Sequence, residues 1–274
     1  MPEGPEIRRE ADAIANAVAG QPLVELELNL PALRPYHDEL FESGVTRVDT
    51  HGKAMLTRFA CGLTLYSHNQ LYGRWIVRRR GKLPRTNRTL RVGLHTAKWS
   101  AVLYSATDVK VLTDDELAVH PFLRKLGPDV LDSTLEWRAI VARLKSAPFR
   151  GRALGALYLD QGFIAGIGNY LRSEILHFAQ LHPARRPQDL AARELNALAR
   201  QTLAVTLRAY RAKGVTNEAA RVARLKAAGN PYSTFRFAVF DRAGEPCYHC
   251  GTGVTRISVS SRRLYFCPTC QPAP

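Results

Sequence analysis

Residues 247–270 read CYHCGTGVTRISVSSRRLYFCPTC, two Cys-x-x-Cys pairs separated by sixteen residues. Four thiolates at this spacing suit a tetrahedral zinc ion with Zn–S bonds of ~2.3 Å. Between the pairs, Thr252 to Ser260 and Arg263 to Phe266 alternate as two strands of a hairpin, with its tip near Ser260-Ser261-Arg262-Arg263. A module this small buries too little surface to fold by itself, so the metal supplies the missing stability. Four protein ligands leave no open position for a substrate. One structural Zn2+ is therefore expected on Cys247, Cys250, Cys267 and Cys270. The fifth cysteine, Cys61, stands alone in a strand-like run and reads as a small buried hydrophobe. The two arginines at the tip are either solvated or able to grip a phosphate bidentately, and the cysteines do not decide between these.

Upstream of the cysteine module the pattern is helical. Residues 134–145, 152–159, 169–179 and 190–212 have apolar residues at mostly helical spacing, and Thr113-x-x-Glu116 is a capping-box pattern. The helices at 152–159 and 169–179 are joined by Gln161-Gly162-Phe163-Ile164-Ala165-Gly166-Ile167-Gly168. Residues 214–234 lack a clear period and read as a mobile loop.

Before residue 110 the period is two. Val24, Leu26, Leu28 and Leu30 alternate with Glu25, Glu27 and Asn29, and further strands are expected at 45–50, 54–60, 62–68, 74–79, 88–96 and 99–105. Many short strands with little helix between them imply an antiparallel sandwich or barrel. A leading helix over 5–19 buries Ile7, Ala11, Ile14 and Val18 on one face and stops at Gly20. The expected organisation is α+β, with units at 1–110, 111–235 and 236–274.

The chain has 274 residues, 39 Lys+Arg against 24 Asp+Glu, and a formal net charge of +15. With 46% hydrophobic residues it can build cores, which excludes a disordered polycation. A folded protein of this charge attracts polyanions, nucleic acid first among them. The first twenty residues include Glu3, Glu6, Arg8, Arg9, Glu10 and Asp12, so no secretory signal is expected there, and no apolar run reaches the ~18 residues of a membrane span. A cytoplasmic monomer is expected.

The chain begins Met1-Pro2-Glu3-Gly4-Pro5-Glu6. A small second residue permits removal of Met1, exposing the secondary amine of Pro2. Such an amine attacks an electron-poor carbon and gives an iminium ion, an electron sink for elimination at neighbouring carbons. Model α-amino groups titrate near ~7.7–8.0, so a usable fraction is free base at neutral pH. Glu3 stands next to it as a proton donor or shuttle. Taken alone, the segment also reads as an ordinary helix lead-in.

The N-terminus and the zinc pattern together resemble the formamidopyrimidine-DNA glycosylase and endonuclease VIII family, and the endonuclease VIII branch in particular. The likeness runs through Met1 to Arg9, His51-Gly52-Lys53-Ala54, Leu65-Tyr66-Ser67-His68-Asn69-Gln70-Leu71-Tyr72-Gly73 and His120-Pro121-Phe122-Leu123. It continues through Gly127-Pro128-Asp129-Val130-Leu131, Gly166-Ile167-Gly168-Asn169-Tyr170-Leu171-Arg172 and Ser260-Ser261-Arg262. The resemblance implies an N-terminal β-sandwich with a leading helix, then a helical domain with a helix–two-turns–helix element and a C-terminal β-hairpin zinc finger.

It also implies a bifunctional DNA glycosylase and abasic-site lyase acting on bacterial double-stranded DNA with an oxidised pyrimidine or an abasic site. By resemblance, Pro2 is the nucleophile, Glu3 the acid that assists base loss or ring opening, and Lys53 a turn lysine tied to proton transfer and elimination. Arg262 is the finger arginine that clamps a phosphate. Gln70, Leu71 and Tyr72 resemble residues inserted into the duplex, with a strand core as the alternative for Leu71 and Tyr72. Asn169, at a helix start after two glycines, reads as a phosphate grip, a helix cap, or both. Lys125 stands where the branch is expected to have arginine; it keeps the charge and loses the bidentate fork. A preference for oxidised purines such as 8-oxoguanine is the alternative within the family. A non-catalytic zinc-containing DNA-binding protein is the alternative outside it, and leaves Pro2-Glu3 with Lys53 unexplained.

Overall fold

The computed structural model describes residues 2–274; the expected removal of Met1 concerns a residue outside the described ones. The chain divides into two compact units. One comprises Pro2 and Glu6–Lys125, the other Glu3–Pro5 and Leu126–Pro274.

The leading helix α1 (Gly4–Val18) buries Ile7, Ala11, Ile14 and Val18, as its 3.6-residue period requires. Strand β1 (Glu25–Leu28) turns Leu26 and Leu28 inward. Residues 31–43, for which the sequence reading has no element, fold as a 3-10 turn (Pro31–Tyr36) and a short helix α2 (His37–Ser43). Each buries one leucine, Leu33 and Leu40, so neither is long enough to display a period.

Strands β2 (Val45–His51), β3 (Ala54–Phe59), β4 (Thr64–His68), β5 (Arg74–Arg79), β6 (Leu90–His95) and β7 (Trp99–Tyr104) fall within the stretches expected to be extended or overlap them. A further strand, β8 (Asp108–Leu112), crosses the expected domain boundary at 110. It pairs with β4, and Val109 and Val111 enter the core. Helix α3 (Asp114–Val119) follows, and its capping box is formed by Thr113 and Glu116. Both lie in the first unit, which runs to Lys125.

Strands β1 to β8 pair antiparallel, in two four-stranded sheets ordered β1-β6-β7-β5 and β2-β3-β4-β8. Their inward residues, with the apolar face of α1, make one core that includes Leu26, Val48, Leu65, Leu94 and Leu103. This is the expected sandwich with its leading helix.

The second unit is helical: α4 (Trp137–Lys145), α5 (Leu154–Leu157), α6 (Asn169–Phe178), α7 (Ala192–Arg211), α8 (Ala219–Ala227) and α9 (Tyr232–Arg236). The finger hairpin, β9 (Thr255–Val259) and β10 (Arg262–Phe266), completes it. Ile140, Leu157, Phe163, Leu171, Ile175 and Leu198 share a core with Leu264 and Phe266 of the finger. The 214–234 segment, expected to be an irregular loop, contains α8 and the start of α9. No residue of α8 is buried, so it takes no part in a core.

Between α5 and α6, residues 159–168 make two turns. The Gln161 side chain closes them, donating to the Ile167 carbonyl at 2.9 Å and accepting from the Gly166 N–H at 3.1 Å. Arg143 braces them from outside through the carbonyls of Gly162 and Phe163. Among the described residues, no helix is long and apolar enough to cross a membrane.

Candidate active site and nucleic-acid interface

In the second unit the centre of the arrangement is Glu3. The Gly4 N–H donates to the Gly166 carbonyl at 2.8 Å, which fixes this segment against the turn before α6. A Cβ on Gly4 would stand 3.2 Å from the Gly166 oxygen, so this approach favours a residue without one. The Glu3 carboxylate then lands on the N-terminus of α6. It accepts from the backbone N–H groups of Gly168 (2.8 Å), Tyr170 (2.9 Å) and Leu171 (3.2 Å). Glu3 is only 4% exposed. The helix end carries unpaired donors and a partial positive charge, and both stabilise a buried carboxylate.

The N–H groups that the sequence offers to an outside anion are thus engaged by the protein's own carboxylate. Asn169 is half-buried beside them, and its carbonyl takes the Ser173 hydroxyl. Gly168 leaves room for Glu3. A Cβ there would be 2.4 Å from the Glu3 carboxyl carbon.

One turn along α6 lies Arg172, fully buried. Its guanidinium donates to the carbonyls of Gly155 (2.6 Å), Arg262 and Arg263 (both 3.1 Å). Burial pushes this group down to about 10, with the Glu3 charge opposing and the Arg262 charge adding to the fall, so it stays cationic at neutral pH. Arg172 therefore ties the finger tip to the helix that carries Glu3. The tip is a two-residue turn, Ser260-Ser261, with both φ values positive (52° and 58°), the geometry of a tight hairpin. Arg262 is the first residue of β10 and is exposed.

The four cysteine sulfurs all lie within 4.8 Å of one another, with Cys247–Cys270 at 3.9 Å and Cys250–Cys267 at 3.4 Å. Sulfurs tetrahedral about zinc at ~2.3 Å are about 3.8 Å apart. The donor set fits a structural Zn2+, which these four residues would hold. Removing it with a chelator is expected to loosen the finger while the sandwich core stays folded. Zinc release should then run in step with loss of DNA affinity, and unchanged affinity in the zinc-free protein would contradict this.

In the first unit Pro2 is half-buried. Lys53 sits in the β2–β3 turn, where Gly52 takes φ +61° and His51 pairs with Ala54. The Lys53 charge reaches His68. Burial lowers the pKa of that imidazole most, the Asp108 charge opposes, and Lys53 lowers it further. The neutral ring accepts the Gln70 N–H on Nδ1 at 3.1 Å.

Residues 69–73 form a tight protruding turn. The Gly73 N–H donates to the Asn69 carbonyl at 2.7 Å, and Gln70 has φ +47°. Asn69 is buried and donates to Glu10 of α1 at 2.9 Å. Burial pushes the Glu10 carboxyl up to about 7 against the opposing Asn69 hydrogen bond. Leu71 and Tyr72 are 67% and 71% exposed, so they are loop residues and not strand core. Arg124 and Lys125 are both exposed, at a 3-10 turn after His120.

Three family models match in order along the chain. They are the formamidopyrimidine-DNA glycosylase N-terminal domain at residues 1–113, the H2TH domain of the same enzymes at 126–220, and the zinc finger found in FPG and IleRS at 244–273. The chain is 46% identical over 271 residues to an Escherichia coli protein named endonuclease 8, covering 99% of this chain and 100% of that one. Its likeness to a Klebsiella pneumoniae protein of the same name is 47%, with the same coverage. The chain belongs to the formamidopyrimidine-DNA glycosylase and endonuclease VIII family. This is a family of DNA glycosylases in DNA repair. Its fold matches a solved complex between the Lactococcus lactis Fpg and an abasic-site DNA, with a TM-score of 0.79 and 20% identity over 99% of this chain and all of that one.

Within the family frame, sequence reasoning overlooked Gly168, Arg172, Asn69 and Glu10. The first two lie in a quoted motif, but their partners are up to 165 positions away. No spacing rule reports such contacts.

Proposed function

We propose that the chain excises oxidised pyrimidines from duplex DNA and then cuts the strand at the abasic site, with the Pro2 amine as nucleophile. The observation that carries this reading is the carboxylate of Glu3, one residue from that amine, buried and held on the α6 N-terminus. This carboxylate, the neighbour of Pro2 in the chain, is the group assigned to take the proton that the Pro2 ammonium must lose before it can attack.

The freed nitrogen bonds to C1′ and the C1′–base bond breaks, the base leaving with its electron pair and taking up the remaining proton of the prolyl nitrogen. Protonated Glu3 returns its proton to the ring oxygen. The O4′–C1′ bond opens, and C1′ becomes an iminium carbon. Loss of a C2′ proton then expels the 3′ phosphate, and a second elimination expels the 5′ phosphate. Lys53 moves protons in these steps. Arg262 holds the phosphate beside the lesion, bidentate in the manner open to a guanidinium.

Because C1′ is inaccessible inside the stack, the damaged nucleotide must first be extruded. Gln70, Leu71 and Tyr72 fill the space it leaves, and their exposure on a braced turn supports that role. Lys125 and Asn169 contribute contacts to the backbone.

Borohydride trapping tests the mechanism. It reduces the iminium to a stable amine, so protein with a free Pro2 should become covalently attached to an abasic-site duplex. No adduct under these conditions would remove the iminium from the mechanism. Duplexes with single defined lesions test the substrate, and an oxidised pyrimidine should be released faster than 8-oxoguanine.

A further inference from the structure

The strand β5 and the connection to β6 contain a run unlike the rest of the chain. Residues 78–91 read RRRGKLPRTNRTLR, with seven Lys and Arg and no Asp or Glu. Because β5 and β6 both pair with β7 and not with each other, the connection crosses one end of that sheet, and residues 84–89 are all exposed.

Part of the charge is engaged. Arg80 pairs with Glu25 at 2.9 Å, and Arg79 lies over the Trp99 ring at 5.2 Å. The Arg88 guanidinium donates to the Tyr72 carbonyl at 2.7 Å, which places the run directly beside the protruding 69–73 turn. There Tyr72, Asn87, Arg88, Thr89, Arg91 and Ser105 line an open cleft of ≈ 420 Å³. Arg91 forms one wall, and its buried Nε has no hydrogen-bond partner in the structure. Two guanidinium groups, an amide and three hydroxyls lining one concavity are a donor set for a phosphate group.

We propose that this cleft and the adjoining Arg78, Lys82 and Arg85 bind the DNA sugar–phosphate backbone next to the point where the 70–72 turn enters the duplex. The inference rests on the wedge role given to that turn above. A side chain that enters the base stack brings its own backbone to the groove, and phosphates line both edges of the groove. Duplex DNA carries one negative charge per ~1.7 Å of its axis, so a basic run of this length beside the entry point faces several phosphates at once. The interaction reads no sequence. It lengthens the footprint and fixes the register of the turn on the duplex.

The test is the salt dependence of duplex binding by the full-length, zinc-loaded protein. Removing the grip on one phosphate should lower the slope of log affinity against log salt by about 0.9. K82Q/R85Q and R91Q should each flatten the slope, whereas R85K/R91K should keep it near the parent's. The flattening should appear on long duplexes and vanish on ones too short to reach the run. Arg88 is left unchanged, because its bond to Tyr72 would mix the two effects. Equal slopes for K82Q/R85Q, R91Q and the parent at every length would overturn the proposal. Undamaged duplex gives the same readout, so absent trapping would count against the glycosylase mechanism alone. A parental slope for these variants on undamaged DNA would count against this backbone grip alone.

Discussion

Replacing Gly168 by alanine is expected to lower base excision by roughly 10²–10⁴-fold, the range associated with loss of a positioned proton-transfer group. The new Cβ would lie 2.4 Å from Cδ, 2.5 Å from Oε1 and 2.8 Å from Cγ of Glu3. Gly168 has φ −139°, outside the positive-φ region that favours glycine, so the conflict that the Cβ meets is with Glu3. Glu3 has no cheap escape, because turning away breaks its bonds to Gly168, Tyr170 and Leu171 together.

Some stability should be lost as well. The carboxylate caps α6 from outside through three backbone bonds, so its displacement costs more than the ~1 kcal/mol of an ordinary N-cap side chain, and folding is checked alongside activity. Excision under single-turnover conditions separates the two effects. G168A should resemble E3A, and the double variant should be little worse than either, since both remove the same group. Parental excision by a folded G168A protein would show that the seat of Glu3 is irrelevant to the chemistry.

The second large effect is expected at Pro2. Pro2→Ala should reduce excision by about 100-fold or more while duplex affinity stays within about threefold. Alanine still presents an amine, but a primary one. Its imine becomes neutral on losing a proton, whereas the prolyl iminium keeps its charge through both eliminations. The trapped adduct should fall in parallel with excision. Affinity and excision falling together by the same factor would assign Pro2 to binding or folding instead.

Much of the architecture was legible because it repeats. The period of two before residue 110 and the helical period after it both come from faces that meet a core, and β2 to β7 and α6 lie where those periods put them. The elements that escaped bury two residues at most: α2 with Leu40, β8 with Val109 and Val111, and α8 with none. Composition pointed to a polyanion, but the cleft formed by Arg88 and Arg91 beside Tyr72 needs strands folded over one another.

By itself, the order of residues determined the zinc ligands, because Cys-x-x-Cys pairs meet a metal through local geometry. It also determined the two classes of secondary structure and the presence of a proline at position 2 next to a carboxylate. Only the tertiary structure decided what that carboxylate does at rest. Glu3 occupies the helix end that Asn169 opens, Gly168 makes space for it, and Arg172 links the same helix to the finger tip. Local patterns report which face of an element is apolar. They are silent on which distant donor a buried charge will find, since that depends on the path of the whole chain.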